Sequence, residues 1–246
     1  HISLFIFAIA LLSGPVSAND LSMTAVKDTL ASIPGEHNYI YVRTPLGEDE
    51  EKNYDEITFY DGLGRELDFA QSYGADRAGA IMAHHHLIEY DSLGRKEKQW
   101  LSTNTSFSYM SPEDLKGGVL WDYHDAGKRS YLQTNYESSP LNRITEQYGV
   151  GDAWGDHPAR MEYLTNIPAD SLRCSFYFID DNDSLIRRGD YRSGELQVTK
   201  ATDEDGKPTY TFVDKQGRTL LTRLGRGNQQ ADTYFVFDRF GRIDRK

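Results

Sequence analysis

The chain has 246 residues, a formal net charge of −11, 26% charged residues and 12% aromatic residues. That aromatic content supplies apolar surface to bury and excludes wholesale disorder. The negative field repels phosphate backbones and anionic lipid surfaces, and excludes nucleic acid as a partner.

From the N-terminus, Ile2 to Leu12 form an apolar run interrupted only by Ser3. It is too short for a bilayer, which needs roughly 20 residues. Gly14 and Pro15 follow, then the small residues Val16-Ser17-Ala18. The pattern predicts a secretory signal peptide over 1–18, truncated at its start and cleaved after Ala18. The expected location is therefore the periplasm, the outer surface or the extracellular space, with no membrane span in the mature chain. The lone Cys174, in RCSFYFID, leaves an exported chain without an internal disulfide and reads as a buried small hydrophobe. Residues 19–36 read as a linker with room for a short helix, because Leu21, Val26, Leu30 and Ile33 recur near a helical turn and Pro34-Gly35 ends the pattern.

From residue 37 to 246 the period changes to two. NYIYVRTP, EITFYD, HHLIEYD, KEKQWL, RSYLQTNY, RITEQYG, RMEYLTN, CSFYFID, GELQVTKAT, TYTFVD, RTLLTRL and TYFVFD alternate apolar or aromatic with polar residues. Such alternation marks half-buried strands. Ser111-Pro112-Glu113-Asp114 carries helix-start chemistry, and Gly117-Gly118 is expected to stop that helix within two turns. The predicted fold is all-β: antiparallel hairpins stacked in a curved or spiralling sheet, with one short helix in a connection around 104–118.

One turn recurs. FYDGLGR contains Tyr60, Asp61, Gly64 and Arg65, and EYDSLGR contains Tyr90, Asp91, Gly94 and Arg95. Asp214, Gly217 and Arg218 repeat the register, as do Asp238, Gly241 and Arg242. The segment 136–143 is two residues longer and places Asn142 before Arg143 where the others have glycine. Asp accepts backbone N–H bonds in a turn, and Gly takes the left-handed conformation that costs other residues about 1 kcal/mol or more. Asn is the next most tolerant residue. This is the chemistry of a type I turn closed by a left-handed residue, a common hairpin connection. His124–Lys128 and Thr202–Lys207 are expected to be turns on the same theme. Units this small bury too little alone, so the hairpins must stack side by side.

FYDGLGR, EYDSLGR and FDRFGR resemble the tyrosine–aspartate (YD) repeats of bacterial RHS-repeat proteins. NYIYVRTPL, YESSPLNRITEQYG, EYLTN and TKATDEDGKPTYTFVDKQGRTLLTR, in that order, extend the resemblance over about 38–246 to the N-terminal region of large secreted RHS-repeat-associated proteins. The resemblance implies a β-sheet shell that in some members encloses a C-terminal toxin, while others are surface or wall-associated. Its implied partner is a following RHS core or its cargo. The chain stops directly after a repeat turn, which gives the expectation of a fragment.

Sites for chemistry are sparse. On a strand, His84 and His86 share one face and His85 points the other way; without a third ligand they read as a solvated face. Asp180–Asp183 and Asp203–Gly206 fail the EF-hand pattern and read as hairpin turns. No nucleophile, zinc-hydrolase or dinucleotide motif is present, so no cofactor and no catalytic residue is expected. Trp100 reads as core packing. Trp154, in the glycine-rich GDAWGDHP, is the candidate glycan contact. The leading expectation is a non-enzymatic exported protein with a structural or encapsulating role. The alternatives are a carbohydrate-binding or adhesion module, with cell-surface glycans as partners, and, least favoured, a secreted hydrolase.

Overall fold

The computed structural model describes residues 23–45, 53–75, 77, 80–180, 182–226, 229–238 and 240–245. The expected signal peptide, 1–18, lies outside them. The chain is antiparallel all-β with two α-helices, and it divides into two compact units: residues 1–133 with 149–153, and residues 134–148 with 154–246.

In the first unit, β1 (Asn38–Pro45), β2 (Asn53–Tyr60), β3 (Glu66–Ala75) and β4 (Ile81–Tyr90) form an antiparallel meander. β5 (Lys96–Trp100) pairs with one end of β4 and β6 (Thr103–Ser106) with the other. β7 (Tyr131–Tyr136) pairs with β5 through Tyr131–Gln133, and the division between units falls within it. Alternation decides the faces. Ile57 and Phe59 of β2 and Ile81, Ala83 and Leu87 of β4 are buried, and their strand neighbours are partly exposed. The stretch 19–36 contributes α1 (Met23–Ala31), whose Val26 is buried, with Ile33, in one cluster with Tyr41, Ile57, Phe59, Ala70 and Phe107. Asp55 is also buried there, and Tyr41 donates to it at 2.6 Å while Arg43 forks onto it at 2.7 and 2.9 Å. These three bonds offset the cost of burying the carboxylate.

The second helix, α2 (Pro112–Asp122), starts where the sequence places it. Ser111 caps it by accepting from the Asp114 amide at 3.1 Å. It does not stop at Gly117-Gly118 but runs on for another turn, burying Leu115 and Val119. Gly118 lies against β6, where a Cβ would sit 2.6 Å from Thr103 Oγ1; that hydroxyl is itself bonded to Asp122 at 2.8 Å. The glycine is a contact device, not a stop signal. The segment 124–128 is not a hairpin either. His124–Ala126 form a 3-10 turn after α2, and Gly127 follows at φ 71°, with Asp152 Oδ2 in the space a Cβ would need.

In the second unit, β8 (Ile144–Tyr148) pairs with β9 (Ala159–Thr165). The next segments, β10 (Ser175–Ile179) and β11 (Leu185–Asp190), form a separate ribbon, so β9 pairs directly with β12 (Gln197–Thr202). β13 (Pro208–Val213), β14 (Thr219–Arg226) and β15 (Gln229–Tyr234) continue the meander, and β16 (Val236–Phe237) closes with β17 (Ile243–Arg245). TYFVFD is thus two strands, not one. Leu196, Val198, Tyr210, Phe212, Leu220 and Leu221 form the core with Cys174, whose thiol is pushed up to about 12 by burial. Among the described residues no helix is long and apolar enough to cross a membrane.

The two adjacent glycines of α2 should respond with opposite sign. Gly118→Ala is expected to cost about 1–2 kcal/mol through the clash with Thr103. Gly117→Ala, with open space at its Cβ, should gain up to about 1 kcal/mol of helix propensity. Urea unfolding of the two variants measures both; equal effects would contradict the packing role of Gly118.

Candidate functional site

Local chemistry builds the recurring turn. Asp61 Oδ1 accepts from the amides of Leu63 and Arg65, both at 2.9 Å, and Oδ2 accepts from Arg65 Nε at 2.8 Å. Backbone bonds close the loop, from Asp61 N to Arg65 O at 2.9 Å and from Gly64 N to Asp61 O at 3.0 Å. Gly64 is left-handed, with φ 77°. Asp91, Asp214 and Asp238 each make the same three side-chain bonds, at 2.7–2.9 Å, to the residue two on and to the following arginine. Gly94, Gly217 and Gly241 have φ 80°, 81° and 77°.

Two turns vary the set in ways that expose its logic. In 137–143 the two tasks of one aspartate are divided. Ser139 Oγ accepts the Leu141 amide at 3.1 Å, while Glu137 takes the Arg143 fork at 2.8 and 2.7 Å. Asn142 supplies the left-handed residue at φ 54°. In 180–184, Asp180 Oδ1 accepts the amides of Asn182 and Ser184, and Asp183 takes the left-handed position at φ 58°. The turn at 203–207 keeps Asp203 and Gly206 (φ 78°), but Lys207 pairs with Asp205 instead.

Three of the arginines so fixed then meet an aromatic ring from further along the chain. Asp68 pairs with Leu87, and the same register carries Arg65 opposite Tyr90. The Arg65 guanidinium lies 4.3 Å from the Tyr90 ring centre, and the Tyr90 hydroxyl donates to the Glu66 carbonyl at 2.7 Å. In the second unit Arg143 lies 4.4 Å from the Tyr163 ring, whose hydroxyl donates to the Ile144 carbonyl at 3.0 Å. Arg218 lies 5.1 Å from the Phe237 ring. These are cation–π steps between consecutive hairpins. Gly94 leaves the space Arg65 needs: a Cβ there would lie 3.1 Å from its Nη1.

The acids are correspondingly acidified. In Asp61, Asp91 and Asp238 the amide of the following arginine, and then its guanidinium, hold the carboxyl below the usual range. In Asp214 burial pushes upward and the bonds from Arg218 more than offset it. Arg143 foremost, and then the Ser139 hydroxyl, pull Glu137 down to about 2.

Other candidate residues are dispersed. His84 and His86 share a partly exposed face of β4, and His85 points the other way and is buried. Its Nδ1 meets Asp68 at 2.6 Å and its Nε2 meets the Ser106 carbonyl at 2.9 Å. His84 stacks on Tyr73 and bonds Asn104. Among the described residues no group of three His, Cys, Asp or Glu could hold a metal ion. Trp100 is half-buried, packing on Tyr131 and donating to Glu89 at 2.9 Å. Trp154 is 47% exposed, and Trp121, at the end of α2, is 83% exposed. A small open cleft that alternation could not have revealed is lined by Ser175, Tyr177, Tyr191, Arg218, Tyr234 and Phe237.

Fold and turns define an antiparallel repeat-hairpin protein. A family model described as Domain of unknown function (DUF6443) matches residues 38–165, from the first residue of β1 to the last of β9. The chain belongs to that family. No curated protein matches it.

Two measurements probe the turn chemistry. A carboxyl acidified by folding contributes stability that is complete above its unfolded value, about 4, and lost as pH falls through the folded value. The contribution of these carboxylates to the urea midpoint should stay level from pH 7 to about 5 and fall steadily toward pH 2. Glu137→Gln should lower the midpoint at pH 7 and flatten the acid slope; an unchanged slope would remove Glu137 from the account. Second, Tyr90→Phe should cost about 0.5–1.5 kcal/mol, and a double-mutant cycle of Arg65→Ala with Tyr90→Leu should show a coupling of about 0.5–1 kcal/mol. Strict additivity would mean the ring and guanidinium do not interact.

Proposed function

We propose that this protein is a non-enzymatic, exported repeat protein of the RHS/YD type with a structural, encapsulating role at the cell surface or outside the cell. The single observation carrying this reading is the interlock of consecutive hairpins. An acid fixes an arginine, and the arginine receives the aromatic residue that precedes the next acid turn. Side chains that elsewhere could serve catalysis are consumed in holding one hairpin to the next, which suits a sheet extended by adding units. The apolar run and small residues at 2–18 favour export.

Carbohydrate binding is the second reading. The 47% exposure of Trp154 favours it, because an aromatic face with a polar tip suits a sugar ring.

Fractionation and cross-linking of producing cells test the proposal. The protein is expected outside the cytoplasmic membrane and cross-linked into a larger β-repeat assembly. Recovery as a cytoplasmic monomer would sink it. A saturable change of tryptophan fluorescence with cell-wall sugars, lost in Trp154→Ala, would transfer the role to glycan binding.

A further inference from the structure

We propose that the buried Asp68–His85 pair is a proton-dependent latch: it holds β6 against β4 while it carries one shared hydrogen, and it lets β6 go as rising pH removes that hydrogen. This property goes beyond the structural role proposed above and does not rest on it.

Hydrogen-bond geometry fixes the number of protons. His85 Nδ1 meets Asp68 Oδ2 at 2.6 Å, and Nε2 meets the Ser106 carbonyl at 2.9 Å. Both partners present lone pairs, and a neutral imidazole has a single N–H. Two hydrogens are therefore needed, one on Nε2 and one between Nδ1 and Oδ2. Whether the second sits on the ring or on the carboxyl, the pair is neutral overall. It then holds one proton more than a neutral histidine beside a carboxylate. Neutrality suits the site. The His85 and Asp68 side chains are 0% and 2% exposed, among buried Ala70, Ala83 and Leu87 on the same faces of β3 and β4. Among the described residues Asp68 Oδ1 has no hydrogen-bond partner. Asp55, on the buried face of β2, takes three bonds from Tyr41 and Arg43. One bond does not offset the burial of a net charge; the shared hydrogen removes the charge instead.

Loss of that hydrogen to solvent leaves one N–H between two acceptors. It stays on Nδ1, where the acceptor is a carboxylate, and Nε2 then turns a lone pair on the Ser106 carbonyl. β6 has little else to hold it. It buries only Thr103, and its other side-chain bond to β4 joins Asn104 to His84. Thr103 is bonded to Asp122 of α2. That helix keeps its own ion pair to β4, between Lys116 and Glu89, so the change is a local detachment of β6.

The neighbouring groups leave the alkaline window to the pair. On β4, burial foremost holds His86 below the usual histidine range, against the pull of Asp68, and His84 lies on that same outer face. Tyr109, after β6, is pushed up by burial foremost and then by Glu113, Asp68 and Glu36. β2 presents Asp55, already paired with Arg43, and α1 presents the apolar Val26 and Leu30. His86 thus titrates on the acid side of pH 7–9, and Tyr109 on its far alkaline side. The latched form binds one proton more than the released form, so the latch weakens as pH rises.

The test uses the full chain labelled with ¹⁵N. At pH 7 its spectra should show two slowly exchanging hydrogens on the pair, one on Nε2 and one, far downfield, between Nδ1 and Oδ2. From pH 7 to 9 the protection of the Thr103–Ser106 amides against exchange should fall by up to about tenfold per pH unit, the linkage of one proton, while protection between β1 and β2 holds. Asp68→Asn discriminates. Its Nδ2–H can donate to Nδ1 of a neutral ring whose Nε2–H still reaches Ser106, so the tie should persist and its alkaline slope vanish. A flat wild-type profile would overturn the latch, as would one slowly exchanging hydrogen in place of two, or a slope unchanged in Asp68→Asn. Should that variant fail to fold, the wild-type profile and ring spectrum still decide.

Discussion

The structure depends on one carboxylate doing two things at once. In each D-x-x-G-R turn, one oxygen of the aspartate accepts two backbone amides and the other orients an arginine. The first task satisfies donors that a tight reversal would otherwise leave unpaired. The second converts a long, mobile side chain into a fixed plate. Because the turn is closed by a left-handed residue, the arginine emerges where the neighbouring strand brings its aromatic ring. Local turn chemistry therefore sets the contact between hairpins. The turn at 137–143 shows that function is selected, not residue identity: when Glu137 and Ser139 divide the tasks, Arg143 still reaches Tyr163.

Energetically each step is modest. A cation–π contact is worth about 0.5–1 kcal/mol at an exposed site, and one neutral hydrogen bond contributes a similar amount. Their value lies in register. Slipping a strand by one residue exchanges its two faces, and here it would also remove a ring from its guanidinium and a hydroxyl from its carbonyl. Two independent penalties thus oppose the same error at the turns whose arginine meets a tyrosine.

Much of this was legible in the sequence. Alternation found β1 and β2, and the turn signature found the reversals and Asn142 as the glycine substitute. It failed where burial is not apolar. β3 buries Asp68, Ala70 and Ser72, so no hydrophobic period announces it. β6 is four polar residues, TNTS, held by pairing with β4. Gly118 was misread because a glycine that stops a helix and one that lets a strand approach are the same letter. The arginine–aromatic steps join residues 19 to 25 positions apart, and only the strand register shows that they meet.

Buried His85 follows the same economy of satisfaction, while Asp68 beside it leaves Oδ1 without a hydrogen-bond partner among the described residues. His85 replaces an apolar residue in the middle of β4, yet it faces acceptors with both nitrogens. Because Nε2 meets the Ser106 carbonyl, it must donate there, leaving Nδ1 to share a hydrogen with Asp68. One imidazole thereby ties β3, β4 and β6 together across the part of the sheet where β4 changes partner from β6 to β5. A leucine would fill the space but leave the Asp68 carboxylate buried without this bond, a cost larger than the apolar gain. Here, as in the turns, a polar group is retained inside the fold because it specifies which strand lies beside which.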